Sequence, residues 1–199
     1  EIYTHSDTLS LHDALPIYLA PNTGIQAGLP ANCRPTTLSS STRLLLPDKT
    51  LDPQEGAFAT WAKMSDASGP YHTLLRVNAA NTVYAYHTGV HGGMVFVYDG
   101  KNIGSSNAVD PTMWHHYALS WKDGEQAMYV DGLPVLRGTL PAAKAVMKTS
   151  AVGWLGNGAG ETWTGELCAA TAYKKSLTPQ EVAALYIWKE YPPTVRRHD

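Results

Sequence analysis

The chain has 199 residues, enough for one domain with a hydrophobic core, and its 15 Lys/Arg against 17 Asp/Glu give a formal net charge of −2. A phosphate-tracking surface needs excess Lys and Arg, so nucleic acid is not an expected partner. No apolar run approaches the roughly 20 residues that span a bilayer, which argues against membrane insertion.

Residues 1–17, EIYTHSDTLSLHDALPI, have neither strand alternation nor a helical period. The stretch resembles a translated sequencing adaptor: the codons of a common short-read adaptor spell Thr8 through Ile17, and its upstream codons spell Glu1, Ile2 and Tyr3. It is expected to be an assembly artefact and is left out of the fold reasoning, with the true N-terminus then missing. Residues 18–41 are rich in Pro, Thr and Ser and read as a linker turning into a first edge strand. A sandwich domain is expected over 42–188, with 189–199 as a tail.

Within that domain the strands follow one another closely. Thr42–Leu46 is short and apolar and is stopped by Pro47-Asp48. Ala57–Met64, Tyr71–Val77 and Thr82–Thr88 come next, the last two separated by a turn over Asn78-Ala79-Ala80-Asn81. Gly93–Tyr98 ends in Asp99-Gly100, Trp114–Trp121 runs into Lys122-Asp123-Gly124, and Gln126–Val130 runs into Asp131-Gly132 ahead of Leu133–Arg137. Three Asp-Gly turns between β-rich segments describe an antiparallel meander. Further strands are expected near Ala151–Leu155 and Glu166–Tyr173, at the spacing of an all-β sandwich. One helix is predicted. Thr178-Pro179-Gln180-Glu181 is a capping box with Pro at the first helical position, and Leu177 and Val182 occupy the positions of a hydrophobic staple. The helix should end near Tyr186 or Trp188, before Pro192-Pro193.

Two of these segments carry a family likeness. WHHYALSWKDGEQAMYVDG (Trp114–Gly132) and GELCAATAYKKSLTPQEVAALY (Gly165–Tyr186) resemble the signature strands and the closing strand-plus-helix of laminin-G-like, concanavalin-A-like jelly rolls. AFATWAKM resembles the early core strand of the same modules. The resemblance covers about Thr42 to Leu185. It implies two antiparallel sheets in a jelly-roll sandwich with one short C-terminal helix. It is weak for function, because one fold hosts lectins, adhesion modules, glycanases and spacers. The last strand of such modules commonly carries an acidic pair where Cys168 and Ala169 stand here.

Chemistry-bearing residues are sparse. Sandwich glycanases need two close carboxylates, often as Glu-x-Asp-x-x-Glu on one strand, and no such pattern occurs. Asp123, Glu125 and Asp131 flank turn glycines and read as turn residues. A Gly-x-Ser-x-Gly elbow is also missing. His115 and His116 are adjacent, so a strand would point them to opposite faces. His87 and His91 flank a Gly-rich loop and are candidates to meet a ligand, against the plainer reading of a solvated loop. Trp154 and Trp163 bracket Gly156-Asn157-Gly158-Ala159-Gly160 beside Glu161. Trp163, Asn157 and Glu161 could therefore receive a sugar, whose C–H face suits an aromatic ring, or Trp163 could cover the core.

The resemblance also implies calcium as the cofactor to consider. Such modules often hold Ca²⁺ at the sandwich rim through Asp and Asn side chains and carbonyls, and the candidates here are Asp66, Asn78, Asn81, Asp99 and Asn157. In the jelly roll the first and last strands are neighbours, so Cys33 and Cys168 could meet in a disulfide, which would fit an oxidising compartment; two unrelated thiols are the alternative.

The expectation is a non-catalytic binding module of a larger extracellular or cell-surface protein, taking a glycan first and a protein second. A glycoside hydrolase or polysaccharide lyase of the same fold is the alternative, and a structural spacer the third reading.

Overall fold

The structure, a computed structural model, describes residues 14–16, 29–31, 33–39, 44–45, 51–52, 54–77, 83–88, 93–98, 101–105, 109–139, 153–155 and 163–188. In chain order the strands are β1 (Ala14–Pro16), β2 (Thr36–Leu38), β3 (Leu44–Leu45), β4 (Glu55–Met64), β5 (His72–Val77), β6 (Val83–Thr88) and β7 (Gly93–Tyr98). Then come β8 (Lys101–Ser105), β9 (His115–Lys122), β10 (Glu125–Val130), β11 (Leu133–Thr139), β12 (Gly153–Leu155), β13 (Gly165–Tyr173) and one helix, α1 (Pro179–Trp188).

The strands form two antiparallel sheets. One runs β1-β13-β4-β9-β10-β11, with β2 also on the free edge of β13; the other runs β3-β12-β5-β6-β7-β8. The inward residues follow from the two-residue period of a strand. Phe58, Leu119 and Met128 from the first sheet meet Leu75, Ala85 and Phe96 from the second in one buried core. Trp121 is part of that core, and its Nε1–H donates to the carbonyl of Asp52 at 2.7 Å, so the indole is buried without an orphaned donor.

The turn chemistry explains the meander. Asp123 and Gly124 have φ of 48° and 89°, and Asp131 and Gly132 have φ of 50° and 79°. Positive φ at both central residues is what a type I′ hairpin turn requires, and Asp-Gly meets it at low cost. These turns pair Lys122 with Glu125 and Val130 with Leu133, which fixes the register of β9, β10 and β11.

Two strands depart from the sequence expectation. β8, KNIGS, has no alternation, and its pairing with β7 makes it a strand. β1 lies within the stretch set aside and pairs Ala14, Leu15 and Pro16 with Tyr173, Ala172 and Thr171. That pairing joins backbones and needs no side-chain pattern. β2 pairs with Gly165–Leu167, so β1 and β2 share one edge of β13 on either side of a bulge between Cys168 and Thr171, where Ala169 has φ of 51°.

Candidate functional site

The outer face of the seven-stranded sheet is built for a helix at one part and left open at another. Ala57, Ala59 and Ala118 face outward there, and their small side chains let α1 lie close, with Val182, Leu185 and Leu177 packed on them and on Tyr129. The helix is held at its start. The Thr178 N–H donates to Glu181 Oε2 at 2.6 Å, and the Glu181 N–H donates to Thr178 Oγ1 at 3.2 Å. Ahead of the cap, Ser120 Oγ accepts the Leu177 N–H at 2.8 Å and donates to the Leu177 carbonyl at 3.0 Å, which anchors the entering chain to β9.

The helix meets the start of β11 where Tyr186 lies against Gly132, but its first turn stands off the rest of that strand. An open cleft of about 660 Å³ remains between its first turn and the sheet edge. Two cross-strand rows form its base: Lys122, Glu125 and Thr139, and then Ser120, Ala127 and Arg137. Tyr129 borders the second row, and Leu177, Thr178 and Pro179 make the opposite wall. The size falls in the range of small-molecule sites.

The cleft carries charges of both signs. Lys122 Nζ lies 3.4 Å from Glu55 Oε1, which also accepts from Ser176 N–H and Oγ–H at 3.3 and 3.2 Å. Burial raises the Glu55 carboxyl, and Ser176 and Lys122 together outweigh it, holding the group below the usual carboxylate range. Burial pushes the Tyr129 hydroxyl up, and the Arg137 charge pulls it partly back. Arg137, Lys122 and Glu125 are exposed and able to meet a ligand.

The residues nominated from sequence fare unevenly. Trp163 is a correction. It is fully buried, stacks edge-on against Tyr117 with ring centroids 5.7 Å apart, and donates from Nε1 to the Lys63 carbonyl at 3.0 Å. An indole with no exposed face cannot stack on a sugar. His87 is also not a loop residue: it lies in β6, buried, with its ring beside that of His72. Asp66 is exposed, but both carboxylate oxygens accept from Ser68, the N–H at 2.7 Å and the hydroxyl at 2.6 Å. Among the described residues no three His, Cys, Asp or Glu converge as metal ligands. His91, Asn157, Glu161, Asn78, Asn81 and Asp99 lie outside the described residues.

Cys33 and Cys168 are joined in a disulfide, with Cα atoms 5.6 Å apart. They pack with Leu29 and Trp61 in a small cluster of their own. His115 and His116 do point opposite ways. His115 Nδ1 pairs with Asp131 Oδ2 at 2.7 Å and its Nε2 lies 3.1 Å from the Asp110 carbonyl oxygen, whereas His116 is buried beside Trp61 and Tyr186.

The sequence reading missed the cleft. Its polar members occupy alternate positions of three strands, β9, β10 and β11, so the outward polarity was readable. That the first turn of α1 leaves a gap beside β11 was not, because it depends on where the helix docks.

Two antiparallel sheets sharing one core, with a C-terminal helix on the outer face of one sheet, define a concanavalin-A-like β-sandwich. The chain belongs to the concanavalin A-like lectin/glucanases superfamily: a laminin G-type family model of that description matches residues 38–183. Among solved structures it is similar to domain 4 of AbnA, a GH43 extracellular arabinanase from Geobacillus stearothermophilus, in complex with arabinotriose. The TM-score is 0.63 at 17% identity, over 78% of this chain and 82% of that one. Trypanosoma rangeli sialidase matches with a TM-score of 0.57 at 14% identity over 69% of this chain, which spans only 23% of the sialidase. The binding domain of botulinum neurotoxin DC, in complex with rat synaptotagmin II, matches with a TM-score of 0.53 at 11% identity, over 69% of this chain and 36% of that one. At these identities the likeness concerns the fold.

Proposed function

We propose that this chain is a non-catalytic binding module that takes a carbohydrate in the cleft between α1 and β11. The observation that carries the reading is the cleft itself: about 660 Å³, open, and lined by Arg137, Lys122, Glu125 and Thr139. Charged side chains that donate and accept in pairs suit the adjacent hydroxyls of a sugar. Among the described lining residues Glu125 is the one carboxylate, and the nearby Glu55 is engaged by Lys122 and Ser176. Hydrolysis by a carboxylate pair needs two acids free to act across the scissile bond, so this arrangement favours binding over cleavage. The arabinotriose complex of the similar arabinanase domain supports a glycan as first choice. The disulfide supports an extracellular or cell-surface location, where such bonds persist. Calcium is part of the proposal as an accessory cation.

A protein partner is the second reading, favoured by exposed Leu133 and Ile187. They lie on the side where the β10–β11 turn abuts the helix, since a Cβ on Gly132 would stand 3.1 Å from the Tyr186 ring.

The test is a glycan array run with calcium and with a chelator, followed by titration of the best glycan against Arg137→Ala and Glu125→Gln. The expected result is binding that falls about tenfold or more in Arg137→Ala, the loss of a charged hydrogen-bond donor, with melting unchanged. An array without glycan hits, or a glycan that both variants bind as tightly as the unaltered protein, overturns the reading.

A further inference from the structure

The six-stranded sheet holds a pair of histidines with no role in the cleft. His72 on β5 and His87 on β6 are direct cross-strand partners, their ring centroids 6.2 Å apart and tilted by 42°. Both are buried, at 9% and 6% exposure. His72 Nε2 and His87 Nδ1 make no hydrogen bond within the protein. Buried polar atoms are nearly always satisfied, so two orphaned ring nitrogens on neighbouring imidazoles call for a partner.

We propose that His72 and His87 together bind a borderline transition-metal cation, Cu²⁺ most tightly and Ni²⁺ or Zn²⁺ less so, through His72 Nε2 and His87 Nδ1. Two imidazoles select such cations over calcium or magnesium, which prefer oxygen. Met94 on β7 is the register partner of His87, so a soft thioether occupies the same cross-strand row. No third His, Cys, Asp or Glu joins the pair among the described residues. The described residues therefore supply two imidazole ligands, in contrast to the four of a closed structural site.

The experiment uses the whole chain and the metals alone. Substoichiometric Cu²⁺ is added while the imidazole resonances are followed by NMR, and Ni²⁺ affinity is measured by calorimetry for the unaltered protein, His72→Phe and His87→Phe. The expected result is early broadening of His72 and His87 together, Ni²⁺ affinity weakened about tenfold or more in each variant through loss of the chelate, and no response to Ca²⁺. Phenylalanine fills the space of the ring and removes an orphaned nitrogen, so both variants are expected to stay folded, with melting as the check. The NMR titration needs no variant, so a misfolded one would not blunt the test. Broadening that falls first on any other histidine, or Ni²⁺ affinity that is equal in all three proteins, overturns the proposal.

Discussion

Both ring nitrogens of His116 are buried without a hydrogen-bond partner, beneath α1 and against the Trp61 and Tyr186 rings. Burial pushes its pKa down to about 4, and the nearby Asp131 charge raises it only in part. The unfolded chain, with an ordinary imidazole, binds more protons than the folded one between about pH 4 and 6.5. Stability should therefore be full above pH 6.5 and fall as the pH drops toward 4, by about 3 kcal/mol from this residue alone. Urea denaturation across that range is the measurement, and His116→Phe should flatten the profile; a profile equally steep in the variant would refute the assignment. Trp163 makes the complementary case of a polar ring fully satisfied. Its indole fills the core against Tyr117 and its N–H is used by the Lys63 carbonyl. Trp163→Ala should cost about 3–5 kcal/mol in denaturant and leave glycan affinity unchanged wherever the variant remains folded. A stable variant that had lost binding would return this residue to the ligand site.

At the level of elements, α1 depends on its first turn. The reciprocal Thr178 and Glu181 bonds satisfy two backbone donors, and the same stretch, Ser176 to Pro179, forms one wall of the cleft. Thr178→Ala should cost about 1 kcal/mol in chemical denaturation; no change would mean that solvent caps the helix equally well. This helix start was legible in the sequence because a capping box is a local code, and so were the two Asp-Gly turns that set the register of β9, β10 and β11. Strand β8 was not legible, since KNIGS has no alternation and becomes a strand by lying beside β7. The placement of Trp163 was not legible for a related reason. Glycines next to a tryptophan read as an open loop, yet the backbone enters β13 at Gly165, where a Cβ would stand 2.2 Å from the Lys63 carbonyl oxygen, and that close approach carries the preceding indole inside. The cleft depends on two elements far apart in sequence, β11 and the segment ahead of α1, and nothing local encodes the gap between them.

Across the whole molecule, the disulfide and the cleft occupy different ends of one sheet. Cys168 pairs in register with Trp61 on β4, and Trp61 pairs with His116 on β9; Ala57 on β4 pairs with Ser120 on β9, at the floor of the cleft. Four strand residues separate these rows, a distance of about 13 Å. The bond ties Cys33, just ahead of β2, to the bulged stretch of β13 across 135 positions of sequence. On the chain-entropy model, closing so long a loop stabilises the folded state by roughly 4–5 kcal/mol, less any strain. Its loss should act on the unfolded ensemble and loosen the edge formed by β2, while the cleft rows remain held by β4, β10 and β11. Reduction, or Cys33→Ala with Cys168→Ala, should therefore lower the melting temperature substantially, and below that temperature the affinity for a glycan found on the array should stay within about twofold of the intact protein, since neither cleft row touches the bond. Hydrogen exchange followed on both forms would locate the change: faster exchange is expected at Thr36–Leu38 and Gly165–Leu167, with Ser120–Lys122 and Glu125–Ala127 unaltered. Equal melting of both forms would remove the bond from the stability of the fold, and a cleft that exchanged as fast as β2 would mean that the two ends of the sheet unfold as one unit.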